Sequence, residues 1–133
     1  MFVEPFLGAI LDGRKTIESR FALHRCAPYQ QVEPGDIILL KRSGGPVVGV
    51  ARAGRRDYYQ LGPGDLEQIR TEHAAELFAL DDEFWESRVE KRYATLIGLK
   101  DTARIDDMSV EKRDRRGWVS FPKSRNGPLP LPA

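Results

Sequence analysis

Cysteine is almost missing from this sequence. Among 133 residues only Cys26 carries a thiol, which excludes an internal disulfide and a zinc finger built on paired cysteines. Histidine is nearly as scarce. His24 and His73 are the only two, so the run His24-Arg25-Cys26 has no further soft ligands beyond His73 with which to hold a metal. No metal and no cofactor is expected. Long apolar runs are lacking too, and none approaches the ~20 residues of a membrane-spanning helix. The first residues are interrupted by Glu4 and have no basic lead-in, so no signal peptide and no membrane partner are expected. A glycine-rich phosphate loop of the P-loop or dinucleotide type is absent, since Gly44-Gly45 reads as a turn. Nor is there an excess of one charge: 21 Lys and Arg oppose 20 Asp and Glu, for a net charge of +1 with 41% hydrophobic residues. That balance excludes full disorder and a coiled-coil rod. The expectation is one cytoplasmic globular domain large enough for a core without staples.

The balance of charge hides a segregation. Residues 1–62 hold 9 Lys and Arg against 6 Asp and Glu, residues 63–90 hold 2 against 9, and residues 91–133 hold 10 against 5. Either the acidic middle forms a separate flank and leaves a basic surface for a polyanion, or the two zones pair with each other.

Periodicity supplies an order of elements. Residues 4–12 read as a short helix, with Pro5 in its first turn and Gly13 at a left-handed exit. Residues 15–23 alternate, with Ile17, Phe21 and Leu23 on one face and Thr16, Glu18 and Arg20 on the other, the pattern of a half-buried strand. Residues 36–42 and 47–53, joined by Ser43-Gly44-Gly45-Pro46, read as a hairpin. After Gly62-Pro63-Gly64 a helix is expected, capped by Asp65 with Gln68 as the capping-box partner. Leu66, Ile69, His73, Leu77 and Leu80 line one face of it. A second helix is expected over 81–90, a strand over 91–99 and a last strand over 117–121. Residues 122–133 form a Pro-rich tail. The order predicts an α+β domain over 1–121 with a small mixed sheet curled into a barrel and flanked by short helices.

One segment concentrates chemistry. Gly13, Lys15, Glu18 and Arg20 form the pattern G-x-K-x-x-E-x-R. Gly13 permits a sharp backbone turn, and Lys15 leaves it as a mobile cation with three donors. Glu18 and Arg20, two apart on a strand, share a face about 7 Å apart. An acceptor beside a planar fork donor can grip a nucleobase edge or its phosphate. The same residues could instead form an ion-pair cluster at the mouth of the barrel, worth little energetically. As a pocket, the three should line one cleft with Lys15 at its rim.

This pattern, with a short helix before it and a strand opening Pro34-Gly35-Asp36 after it, resembles the signature of the ASCH family within the PUA-like superfamily. The resemblance implies a PUA-like barrel whose motif lines a cleft for RNA or a modified nucleotide. One branch of that family hydrolyses the acetyl amide of acetylated cytidine through the motif lysine, a threonine at the position of Glu18, and a glutamate from the following helical region. Here Glu18 has no hydroxyl, so a covalent mechanism at that position does not carry over. Thr16 is the substitute on the same face, and Glu72 or Glu76 the helical carboxylate; both glutamates also read as solvent-facing residues of an amphipathic helix.

Two further stretches mix cations with rings: Arg52-Ala53-Gly54-Arg55-Arg56-Asp57-Tyr58-Tyr59 and Lys112-Arg113-Asp114-Arg115-Arg116-Gly117-Trp118. Arginines meet phosphates and rings stack on unpaired bases. The tyrosines and Trp118 read better as core or rim residues, which leaves Arg55, Arg56, Arg115 and Arg116 as backbone contacts. The sequence therefore points first to a module binding RNA or a modified nucleotide through Gly13, Lys15, Glu18 and Arg20. The second reading is a hydrolase on the same ligands, an amidohydrolase or ribonuclease, in which Lys15 and Glu18 would be catalytic. The third is a protein-interaction domain. A carboxylate between cations favours its charged form and makes a weak base at neutral pH, so binding with little turnover is the expectation.

Overall fold

Helix α1 (Phe6–Leu11) begins after Pro5 and ends at Asp12. Its exit is the left-handed Gly13, φ +80°, a conformation an L side chain rarely adopts. That turn feeds the backbone N–H groups of Arg14 and Lys15 back to the Ala9 carbonyl, at 2.8 and 3.0 Å. The exposed C-terminal end of α1 is thereby satisfied and the chain is aimed into β1 (Ile17–Ala22). The computed structural model describes residues 1–108. The expected strand 117–121, Trp118, the cluster 112–118 with Arg115 and Arg116, and the tail 122–133 lie outside the described residues.

Strands β1, β2 (Ile37–Lys41), β3 (Val47–Gln60) and β4 (Tyr93–Met108) form one sheet in the order β1-β4-β3-β2, antiparallel at every pairing. A parallel bridge, Phe2 to Arg42, adds the mixed element. Phe2 N–H donates to the Lys41 carbonyl and Ser43 N–H to the Phe2 carbonyl, both at 2.8 Å. Across the molecule, Arg20 Nη2 of β1 donates to the Met1 carbonyl at 2.9 Å. The first two residues thus tie one edge strand to the other, and the sheet curls into a small half-barrel flanked by α1, α2 (Asp65–His73) and α3 (Asp82–Glu86). No helix among the described residues is long and apolar enough to cross a membrane.

Both faces of the sheet are buried, which explains the nearly continuous apolar run of β4. Ile97 joins Phe2, Leu7, Ile10, Val32, Ile38, Leu40 and Ala53 on the inner face. Its neighbour Leu96 joins Ile69, Leu77, Ala79 and Trp85 on the outer face, with Ile17, Phe21 and Tyr59 against them. Gly49 belongs where β3 passes under α1: a Cβ there would stand 2.7 Å from Leu11 Cδ2 and 2.9 Å from the Ala103 carbonyl oxygen. Gly49→Ala is expected to cost about 1–3 kcal/mol through overpacking, read as a lower urea midpoint at unchanged slope.

Several expected boundaries are corrected. β3 does not stop at Ala53 but runs to Gln60, because Gly54 and Arg55 together oppose Gly98 as a bulge. The extra residue switches the alternation: Ala51 and Ala53 face inward before the bulge, and Arg56 and Tyr58 do so after it. β4 likewise runs past Leu99, with Asp101 and Thr102 together opposing Ala51 and Asp101 held at φ +53°. The cap of α2 is Gly64 rather than Asp65. Asp65 Oδ2 instead accepts the Gly62 N–H at 2.7 Å, and Gln68 Nε2 donates to Glu72 Oε1 at 3.0 Å, so no capping box forms. Because α2 ends at His73, Leu77 is buried from the turns that follow, and Leu80 is 67% exposed. Helix α3 is shorter than 81–90. Its last turn is closed by Ser87 Oγ and Arg88 Nη1, which both donate to the Phe84 carbonyl.

Candidate ligand site at the first strand

The turn at Gly13 determines where Lys15 goes. The ammonium is not a mobile group at a rim, as expected from the sequence, but lies only 2% exposed beneath α1. Its Nζ donates to the Leu77 carbonyl at 2.6 Å, stands 3.6 Å from Glu18 Oε1 and is 5.3 Å from the Phe6 ring centre. The two N–H bonds to Ala9 draw the backbone in against the helix end, so the side chain can only run inward. Lys15 is the floor of the cluster.

Glu18 and Arg20 are opposite Ile97 and Thr95 of β4 and share the inner face. Glu18 is 7% exposed. Its Oε1 accepts the Ser19 N–H at 2.8 Å, and its Oε2 is 3.3 Å from Arg20 Nη2. The Arg20 guanidinium lies 4.8 Å from the Phe2 ring centre. The strand period thus brings all three charged motif residues together.

A fourth charge was not foreseen. Arg88, in the turn after α3, places its guanidinium 3.6 Å from the centre of the Phe84 ring and 5.5 Å from that of Phe21. Half-buried, it lies within electrostatic reach of Glu18 and Lys15. A sequence signal existed: Arg70 and Arg88 are the only cations of residues 63–90. Arg70 is spoken for by an ion pair with Asp82. Glu18 is thus within 4 Å of two cations, Lys15 and Arg20, with Arg88 farther off but close enough to be felt.

Burial pushes the Lys15 ammonium below its ordinary range. Glu18 pulls it back up, and Arg20 and Arg88 add to the fall. Burial likewise lowers Arg88, opposed by Glu18. Between the lowered folded value of Lys15 and its ordinary 10.5, the unfolded chain binds the extra proton, so stability contributed by this residue rises with pH. Compared with Lys15→Met, the wild-type chain should gain stability across that window by at most about 1.4 kcal/mol per pH unit. Denaturant midpoints collected up to pH 10.5 check this, and parallel curves for the two proteins would contradict it.

The remaining candidates are dispersed. Thr16 precedes β1 and is exposed, in a groove on the outer face with Arg55, His73 and Glu76. It is not the hydroxyl beside Lys15. Glu72 and Glu76 are both exposed; Glu72 accepts from Gln68, and Glu76 Oε1 is 3.2 Å from His73 Nδ1. Arg55 and Arg56, adjacent on β3, point to opposite faces by the strand's alternation. Arg56 Nε donates to the Val32 carbonyl at 2.9 Å, and its guanidinium lies over the Tyr58 ring. The Arg55 side chain is 86% exposed beside Asp57. Tyr58 bonds both the N–H and the carbonyl of Val32, and Tyr59 packs against the outer core, the rim and core roles expected of them. Cys26 is exposed.

No family model matches the chain, and no curated protein does. Solved structures do. The ASCH protein of Zymomonas mobilis superposes with a TM-score of 0.62 at 21% identity, over 82% of this chain and 70% of that one. Two point mutants of the same protein give 0.64 and 0.61 at 22% identity, over 82% and 80% of this chain and 72% and 69% of theirs. The chain has the fold of an ASCH domain. In this ASCH fold, the helix, left-handed glycine and first strand that suggested it in the sequence are the elements that seat Lys15, Glu18 and Arg20.

Proposed function

We propose that this ASCH-fold domain binds RNA or a modified nucleotide at the cluster of Lys15, Glu18, Arg20 and Arg88. The observation that carries the reading is the grouping itself: the buried Glu18 carboxylate stands beside Lys15 and Arg20, with Arg88 and the rings of Phe2, Phe6 and Phe84 close by and both arginines partly exposed. Partly exposed guanidinium groups in such a corner can take an anion or an electron-rich carbonyl. Arg20 and Arg88 present planar donor forks to a phosphate or a base carbonyl. Glu18 accepts from an exocyclic amine or a hydroxyl. Phe2, Phe6 and Phe84 line the arrangement with apolar ring surface suited to a planar ligand.

Hydrolysis is the second reading, and one observation favours it. A lysine whose ammonium is lowered by burial is nearer the neutral form that can take up a proton. Glu18 offers no hydroxyl, however, and Thr16 stands elsewhere. Binding with little turnover of acetylated cytidine is therefore expected.

The experiment is a fluorescence-anisotropy titration of single-stranded RNA across a range of salt, beside a hydrolysis assay on N4-acetylcytidine. Log affinity should fall with log salt by roughly 0.7 per phosphate neutralised, and Arg20→Ala should weaken binding at least about tenfold. Charge reversal at Arg115 and Arg116 should flatten the salt slope. Equal affinity for wild type and Arg20→Ala would remove the cluster from the interface. Rapid turnover abolished in Glu18→Thr would make Glu18 catalytic and the binding reading wrong.

A further inference from the structure

A second concavity lies on the other face of the sheet. On β1 the alternation that sends Glu18 inward sends Ile17 outward, into a cavity of about 370 Å³ between β1, β4, β3 and the end of α2. That volume is in the range of sites for small organic ligands. Two features of the backbone make it. Gly54 and Gly98 meet at the β3 bulge, where a Cβ on Gly98 would stand 3.3 Å from the Arg55 carbonyl oxygen, so the floor is bare peptide. The bulge also turns Arg55 outward onto the same face as Asp57, a re-aiming that bulges commonly perform near binding sites.

The lining is polarised. Lys100 and Arg55 stand at the end near Gly98, while Asp57 pairs with Leu96 farther along. From Lys100 to Leu96 the strand covers about 13 Å. At the acidic end His73 projects from α2, its Nδ1 3.2 Å from Glu76 Oε1, so its ring is oriented. Ile17 and Leu96 supply apolar contact between the two ends. Arg55 is held by Asp57 in an exposed pair at 3.3 Å, worth too little to keep it from a better partner.

We propose that this groove is a second ligand site, taking a phosphate monoester carried on a planar ring with amine donors, that is, a mononucleotide. The phosphate meets Arg55 and Lys100, the ring lies on the peptide planes of Gly54 and Gly98, and its amine edge reaches Asp57 or Glu76. The site stands apart from the Lys15 cluster and does not depend on that reading. Its ligand is either a free nucleotide or the phosphorylated end of an RNA strand.

The test is amide-resolved NMR titration of the whole chain with 5′-CMP, cytidine, inorganic phosphate, and a short single-stranded RNA bearing a 5′-phosphate. With 5′-CMP the amides of Ile17, Gly54, Gly98 and Lys100 should move, and cytidine or phosphate alone should bind at least about tenfold more weakly. The double variant Arg55→Glu, Lys100→Glu changes exposed side chains only and should weaken 5′-CMP at least about tenfold. Gly98→Ala should weaken it by filling the floor. Tighter binding of the RNA than of 5′-CMP, or the reverse, supports the site and identifies its source. Groove amides that stay still with every probe overturn the proposal, as does unchanged affinity in the double variant. Movement in the groove with silence at Glu18 and Arg20 would count against the Lys15 cluster alone.

Discussion

Glu18→Ala should lower the stability of the domain by about 3–5 kcal/mol, the usual cost of stripping one partner from a buried ion pair. The carboxylate stands 3.6 Å from the Lys15 ammonium and 3.3 Å from the Arg20 guanidinium, and it opposes the lowering of both Lys15 and Arg88. Without it Lys15 and Arg20 lose a carboxylate in a corner that Arg88 also approaches, and the Ser19 N–H loses its acceptor. Lys15 cannot escape to water, because its ammonium lies beneath α1 and is held by the Leu77 carbonyl. The loss should therefore be partly recovered in the double variant Glu18→Ala, Lys15→Met, which removes the most buried of the three charges. The single variants and the double form a cycle that urea denaturation can close. A loss below about 1 kcal/mol in Glu18→Ala, the range of exposed pairs, would mean that the cluster is hydrated in solution.

The same cluster shows what local sequence patterns carry and what they omit. Glu18 and Arg20 on one face, the helix before them and the left-handed Gly13 were all legible, because each depends on residues a few positions apart. The depth of Lys15 was not. It depends on the Leu77 carbonyl, 62 residues away, and on how α1 closes over β1. Arg88 was missed because a single arginine in an acidic stretch reads as solvated, and only the packing of Phe84 and Phe21 gives it a place. The ends of β3 and β4 were misjudged for another reason. A bulge breaks the period of two, so counting from Ala53 puts Arg55 on the inner face and Arg56 on the outer one, the reverse of what the bulge produces. Thr16 was assigned to the Glu18 face by the same count, but it lies just before the strand, where alternation no longer governs direction.

Arg88 separates binding from stability most sharply. Its guanidinium stacks on Phe84 and donates to the Phe84 carbonyl and Ser87 Oγ within its own turn, and its half-buried position leaves part of the fork toward solvent. Arg88→Ala should thus cost stability only modestly, on the order of 1 kcal/mol for the lost hydrogen bonds and ring contact. Under the proposed function its effect on RNA or nucleotide affinity should be far larger, about 2–5 kcal/mol for truncating a charged contact to a desolvated partner, or roughly 30-fold to several-thousand-fold. Arg88→Lys keeps the charge but not the planar fork and should fall between the two. Removing this cation also relieves one of the influences that lower Lys15, so the rise of stability with pH owed to Lys15 should be smaller in Arg88→Ala than in wild type. Titration of the three proteins with the same RNA, beside their denaturant midpoints, decides the matter. If affinity follows stability in lockstep, Arg88 only braces the turn after α3. If affinity collapses while the midpoint barely moves, Arg88 is part of the surface that meets the ligand.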